Sequence, residues 1–144
     1  MIDDTVRELL DRAQIRDLLA RYARGVDRRD LELVRSCFTE DAAYEGALST
    51  TDVAHALATL REGLERYTTT MHFLANQSIE LDGDAAHSET CAIAYHRTPR
   101  EGGAQDLVLG VRYRDDLVRE RGRWRICRRH AVCDWQRRDR VVLP

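Results

Sequence analysis

The spacing of apolar residues changes once along this chain, near Tyr67, and that change limits the folds open to it. Before it, apolar residues fall at Val6, Leu9, Leu10, Ala13, Leu18, Leu19, Tyr22, Ala23 and Val26. Steps of three and four put one stripe on one side of a helix, facing a core. Asp3, Asp4 and Thr5 offer N-caps for it, and Gly25 marks its fraying end. A second short helix is expected from Asp30 to Cys37, with Leu31, Val34 and Phe38 as its apolar edge, and Asp41–Gly46 reads as a short strand. Ser49, Thr50, Thr51 and Asp52 announce a third helix, with the stripe Val53, Leu57, Leu60, Leu64 and Tyr67.

Past Tyr67 the pattern becomes that of strands. Thr68–Leu81 is rich in Thr, Phe and Ile, Asp82-Gly83-Asp84 is a hairpin turn, and Ala85–Arg97 returns. Pro99–Ala104 reads as a longer loop, and Gln105–Val118 and Arg123–Trp135 as strands joined across Arg121-Gly122. Helices first and antiparallel strands after make an α+β pattern, a curved sheet with helices packed on one face. No repeat or linker interrupts it, so residues 1–144 are expected to form a single domain.

The composition excludes several kinds of chemistry. Every one of the 23 basic residues is Arg. Without Lys there is no Schiff base, hence no pyridoxal phosphate, and no P-loop. The net charge of −2 gives no general attraction to nucleic acid, and the arginines between Arg112 and Arg140 alternate with apolar residues as on the wet face of a sheet. No apolar run approaches the ~20 residues of a membrane helix. The N-terminus lacks the layout of a signal peptide, so a cytoplasmic protein is expected. Cys37, Cys91, Cys127 and Cys133 form no C-x-x-C pair and are expected as small buried hydrophobes. With no metal-ligand spacing and no glycine-rich phosphate loop either, no metal, nucleotide or other cofactor is expected.

Two residues stand out as chemistry. Asp27 follows the first helix pattern, and His72 opens a strand. A carboxylate that fixes one imidazole nitrogen leaves the other free to take or give a proton. Asp27 could instead cap the helix near Asp30, and a lone His is often a satisfied or surface group. Tyr22 lies on the apolar stripe and could be core. His55 and His87 read as surface residues. His96 could line a pocket as a second acid or as a wall, and Tyr44 and Trp135 could be pocket walls or packing.

Several segments, taken in order, resemble the SnoaL-like branch of the NTF2-like superfamily. They are Ile15-Arg-Asp-Leu-Leu-Ala-Arg-Tyr22 with Gly25-Val-Asp27, Phe38-Thr-Glu-Asp-Ala-Ala-Tyr44, Met71-His72-Phe73, Asp82-Gly83-Asp84-Ala85, Tyr113-Arg-Asp115 and Gly122-Arg-Trp124-Arg-Ile126. The resemblance covers nearly the whole chain. It implies a cone: a strongly bent antiparallel sheet wrapped around the N-terminal helices, with an apolar pocket inside for a small molecule. It also implies the chemistry of scytalone dehydratase, bile acid 7α-dehydratase and hexachlorocyclohexane dehydrochlorinase, which remove a proton and a leaving group with a His–Asp pair and no cofactor. Asp27 and His72 match that pair, and Tyr22 and Arg129 match pocket residues. Alternation from Trp124 and Ile126 puts Arg128 and His130 on their face and Arg129 on the other, so either the strand carries a bulge that brings Arg129 to the pocket or the resemblance misplaces the arginine and Arg128 faces it.

The expected function is therefore a lyase or isomerase acting on a cyclic, mostly apolar substrate. The rival readings are a binding module without turnover and an oligomeric structural subunit of the kind found beside ring-hydroxylating dioxygenases. Val108, Val111, Ile126, Val132 and Trp135 cannot all face inward under alternation, which points to a homo-oligomer, a dimer or trimer as in the relatives, formed through the outer sheet face.

Overall fold

Three aspartates open the three helices found among the described residues. Asp3 caps α1 (Asp4–Arg28), its carboxylate accepting from the Thr5 amide at 3.0 Å. Asp30 caps α2 (Leu31–Ser36) through the Leu33 amide at 2.9 Å, and Asp52 caps α3 (Val53–Leu64) through the His55 amide at 2.8 Å. Since Asp30 does the capping, Asp27 does not; it lies within the last turn of α1. The computed structural model describes residues 3–46 and 50–142; Ser49 of the helix-start signal lies outside them.

The strands are β1 (Phe38–Glu45), β2 (Thr50–Asp52), β3 (Thr69–Asp82), β4 (Ala85–Arg100), β5 (Gly103–Glu120) and β6 (Arg123–Val141). They form one curved, unclosed sheet in the order β2-β1-β6-β5-β4-β3. β3 through β6 make an antiparallel meander, but β1 lies parallel to β6. The expected all-antiparallel sheet is corrected at that seam, where the strand between the helices docks beside the last strand. The expected Pro99–Ala104 loop is corrected too. Pairing runs to Arg100↔Gly103, leaving a tight turn at Glu101-Gly102. Gly102 takes φ 72° there, a conformation that side chains disfavour.

Two residues of β6 are extra to the ladder. Asp116 faces Arg128 while Leu117 faces Ile126, so Cys127 bulges; Gly110 faces Trp135 while Val111 faces Cys133, so Asp134 bulges. Bulges bend and twist a strand, and they flip the side-chain alternation beyond them.

The core lies between α1 and the inner sheet face. Ile15, Leu18, Leu19, Tyr22 and Val26 pack against Tyr113, Leu117, Trp124 and Ile126. Asp11 is buried with them, accepting from Arg119 at 2.6 and 2.7 Å and from the Trp124 indole at 3.0 Å. Because Asp11 faces inward, Val6, Leu9 and Leu10 face outward, at 45%, 62% and 47% exposure. The expected apolar stripe therefore fails over the first turns of α1. Leu57 and Leu60, expected in the core, are half-buried because they line a cavity. Gly25 is no fraying end. A Cβ there would meet Val34 Cγ2 at 2.7 Å, so the missing side chain lets α2 pack closely on α1. Only Cys37 of the four cysteines is buried; Cys91 and Cys127 are half-buried and Cys133 is exposed. No helix among the described residues is long and apolar enough to cross a membrane.

Candidate active site

The last turn of α1 and the first residues of β3 bring Asp27 and His72 together. Asp27 Oδ1 lies 2.7 Å from His72 Nδ1. The same oxygen accepts from Thr70 Oγ1 at 3.0 Å, and Oδ2 accepts from the His72 amide at 2.9 Å. Burial works to raise the Asp27 pKa, but the hydrogen bonds from the His72 ring and amide outweigh it and hold the carboxyl below its ordinary value. An ionised carboxylate only accepts, so Nδ1 carries a proton, and in the neutral imidazole the lone pair is then on Nε2. The His72 side chain is 7% exposed.

His96 stands edge-on to His72, with ring centroids 5.9 Å apart, and packs against Tyr67 at 4.9 Å. Its Nδ1 lies 3.4 Å from the Leu107 carbonyl. Burial, and then the neighbouring His72, push its pKa down, so His96 is neutral at pH 7. With Nδ1–H donating to the carbonyl, its Nε2 is an acceptor.

Tyr22, Tyr44 and Arg129 form a second cluster. The Cys127 bulge turns Arg129 inward, which resolves the conflict between strict alternation and the resemblance. Its guanidinium is fully buried, 4.1 Å from the Tyr22 ring centroid and 4.3 Å from that of Tyr113. Asp115 accepts from Nε at 2.7 Å and Nη2 at 2.8 Å, while Nη1 has no hydrogen-bond partner among the described residues. Burial opposes the charge on Arg129, but Asp115 outweighs it and holds the group more firmly protonated than a free arginine. Arg128 is exposed and approaches Glu45 at 3.6 Å. Burial, and next the Tyr22 hydroxyl, push the Tyr44 phenol well above its ordinary pKa, so Tyr44 remains a donor.

Tyr22 and Tyr44 wall an apolar cavity of about 320 Å³ with Phe38, Val53, Leu57 and Leu60. The acid–base pair does not line it. Asp27 and His72 open instead on a cleft of about 410 Å³ with Ala20, Ala23, Arg24, Arg28 and Leu74, on the opposite side of α1 from Tyr22. Trp135 lies apart from both clusters. It faces Gly110 on the outer sheet face, 43% exposed, which corrects its reading as a pocket wall. A Cβ at Gly110 would collide with the Trp135 ring. Among the described residues no group of three or more His, Cys, Asp or Glu is placed to hold a metal ion.

Sequence reasoning missed Thr70, Tyr113 and Asp115. Alternation carried back from Leu117 puts Asp115 and Tyr113 on the inner face, and alternation from His72 does the same for Thr70.

The SnoaL-like domain family matches residues 7–130, and the chain belongs to it. Uncharacterized proteins of Mycobacterium tuberculosis and Mycobacterium bovis are 33% identical over 129 residues, covering 87% of this chain and 86% of theirs. Among solved structures, hexachlorocyclohexane dehydrochlorinase LinA-type3 from Novosphingobium barchaimii has a TM-score of 0.82 at 18% identity, covering 97% of this chain and 99% of that one. A Mycobacterium tuberculosis protein of unknown function has a TM-score of 0.79 at 26% identity, covering 92% of this chain and 76% of that one. These structures share the helix-and-bent-sheet architecture of the NTF2-like superfamily.

Proposed function

We propose that this SnoaL-like chain is a cofactor-independent lyase or isomerase acting on a cyclic, mostly apolar small molecule. The observation that carries the reading is the 2.7 Å contact from His72 Nδ1 to an Asp27 whose two oxygens are held by two further donors. It fixes the imidazole and aims a lone pair from Nε2. In this reading His72 removes a proton next to an activating group, a step shared by dehydration, double-bond migration and cyclisation, and worth about 10²–10⁴-fold in rate. Asp27 steadies the imidazolium that forms. Neutral His96 lies close enough to His72 to accept a hydrogen bond from the substrate. Tyr22 and Tyr44 contact the apolar body of the substrate in their cavity, while Arg129, wholly buried behind Tyr22, acts on developing negative charge only at a distance. Because α1 lies between the cavity and the cleft, a substrate that meets both must displace α1 or enter around its end.

The separation of cavity and cleft favours one rival, a binding module that holds an apolar ligand without turning it over. The two readings divide on a panel of polycyclic ketones, alcohols and epoxides. For the enzyme, His72→Ala and Asp27→Asn each abolish turnover with the fold intact. Their combined effect falls far short of the product of the single effects, because the two act as one unit. Turnover undiminished in His72→Ala would sink the enzyme reading.

We also propose self-association through the outer sheet face. The cross-strand rows Phe73–Ile93–Gly110–Trp135 and Met71–Tyr95–Val108–Arg137 form a continuous strip there. Met71, Phe73 and Trp135 are 58%, 63% and 43% exposed, an apolar patch of the kind that marks contact surfaces.

A further inference from the structure

Arg24 and Arg28 line the same cleft as Asp27 and His72. They are one helical turn apart on α1, which sets their Cβ atoms about 5–6 Å from each other on one side of the helix. Both side chains are exposed, and neither guanidinium has a hydrogen-bond or ionic partner among the described residues. Unpartnered surface arginines are common, and Arg28 in the last turn also complements the helix dipole. What sets this pair apart is the composition of the cleft. Asp27 is its only acidic lining residue, and both Asp27 oxygens are already taken by His72 and Thr70. The remaining wall is Ala20, Ala23 and Leu74, small or apolar groups that leave the forks unobstructed. The cleft therefore presents two uncommitted planar donors beside the imidazole. Guanidinium forks bind oxyanions through paired, charge-assisted hydrogen bonds.

We propose that the cleft takes a small molecule bearing an oxyanion group, a carboxylate or a phosphate monoester, held by Arg24 and Arg28 so that the carbon beyond it lies at His72. The proposal rests on the reading of His72 as the group that meets substrate, and it adds the charge of that substrate. An anion at the arginines fixes the distance from head group to reacting carbon, and uncharged analogues of the same shape lose that fixing point.

The test is a binding titration with 2-naphthoate, 2-naphthyl phosphate and the uncharged 2-naphthamide. One of the two anions is expected to bind at least about tenfold more tightly than the amide, and the tighter one identifies the head group. The preference shrinks with added salt. Arg24→Gln/Arg28→Gln abolishes it, whereas Arg21→Gln, which removes a charge from the same helix outside the cleft, leaves it in place. Circular dichroism confirms that each variant is folded. Equal affinities for anions and amide, no saturable anion binding, or an equal loss in Arg21→Gln would each overturn the proposal. The binding readout separates this idea from the enzyme reading. His72→Ala keeps the anion preference because the arginines hold the ligand, while loss of turnover in that variant bears on catalysis alone.

Discussion

Removing the charge of Asp115 should destabilise the protein more than most single substitutions. Asp115 and Arg129 have side chains with no exposure to solvent, and among the described residues Asp115 is the only carboxylate bonded to the guanidinium. In Asp115→Asn the shape is kept and one oxygen can still accept. A neutral amide nonetheless leaves Arg129 as a buried charge without a counter-ion. Breaking one side of such a pair costs about 3–5 kcal/mol. The retained acceptor puts the expected loss near the lower end, about 3 kcal/mol, against a total stability of about 5–15 kcal/mol. The contacts of Arg129 with the Tyr22 and Tyr113 rings do not offset this, because they are present before and after the change. With a urea slope of about 2 kcal/mol per molar, the unfolding midpoint falls by about 1.5 M. Urea titration followed by circular dichroism reads this directly. The double substitution Asp115→Leu/Arg129→Met, which removes both charges, should recover much of the loss. A loss under about 1 kcal/mol in Asp115→Asn would refute the reasoning, since solvent or another group would then have to neutralise Arg129.

Gly25→Ala should lose about 1–3 kcal/mol, because the new methyl meets Val34 Cγ2 at 2.7 Å and the α2 backbone at 3.1 Å; an unchanged urea midpoint would show that α2 has room to move. Asp27 has a folded pKa below its ordinary value, so its stabilising contribution is present above the unfolded value of about 3.9 and is lost as the pH falls through the folded one. Wild type should therefore lose stability more steeply than Asp27→Asn below about pH 4, and parallel acid titrations would contradict this. Light scattering should give a mass above that of the 16.6 kDa chain, and Phe73→Asp should lower it; a single-chain mass at high micromolar concentration would remove the self-association proposal.

Much of the architecture was legible because local signals agreed with it. The capping aspartates Asp3 and Asp52, the alternation along β4 and β5 and the Asp82–Asp84 turn each act within a few residues. The pairing of Asp27 with His72 was legible only through the resemblance, since nothing local sets the distance between positions 45 residues apart. Once the fold places them, the reason is plain. Thr70, the His72 amide and the His72 ring all present donors to one carboxylate.

Two departures from simple apolar patterning share a physical cause. Apolar patterning assumes that the inward face is apolar, and it misplaces any buried charge whose partner lies on another element. Counted as polar, Asp11 sat outside the expected stripe, and Val6, Leu9 and Leu10 were put inside it. In the fold Asp11 is inward, because Arg119 and Trp124 supply three donors from the far end of the chain. Strict alternation alone puts Arg129 outside, whereas the resemblance puts it in the pocket by way of a bulge. It is inward because the bulge at Cys127 re-aims it and Asp115 neutralises it. In both places one long-range ion pair lets a charged residue take a core position. Such pairs are strongly destabilising when half-broken. Each therefore ties α1 or β6 to one register, and that register is what puts Tyr22 against Arg129 and Asp27 within reach of His72.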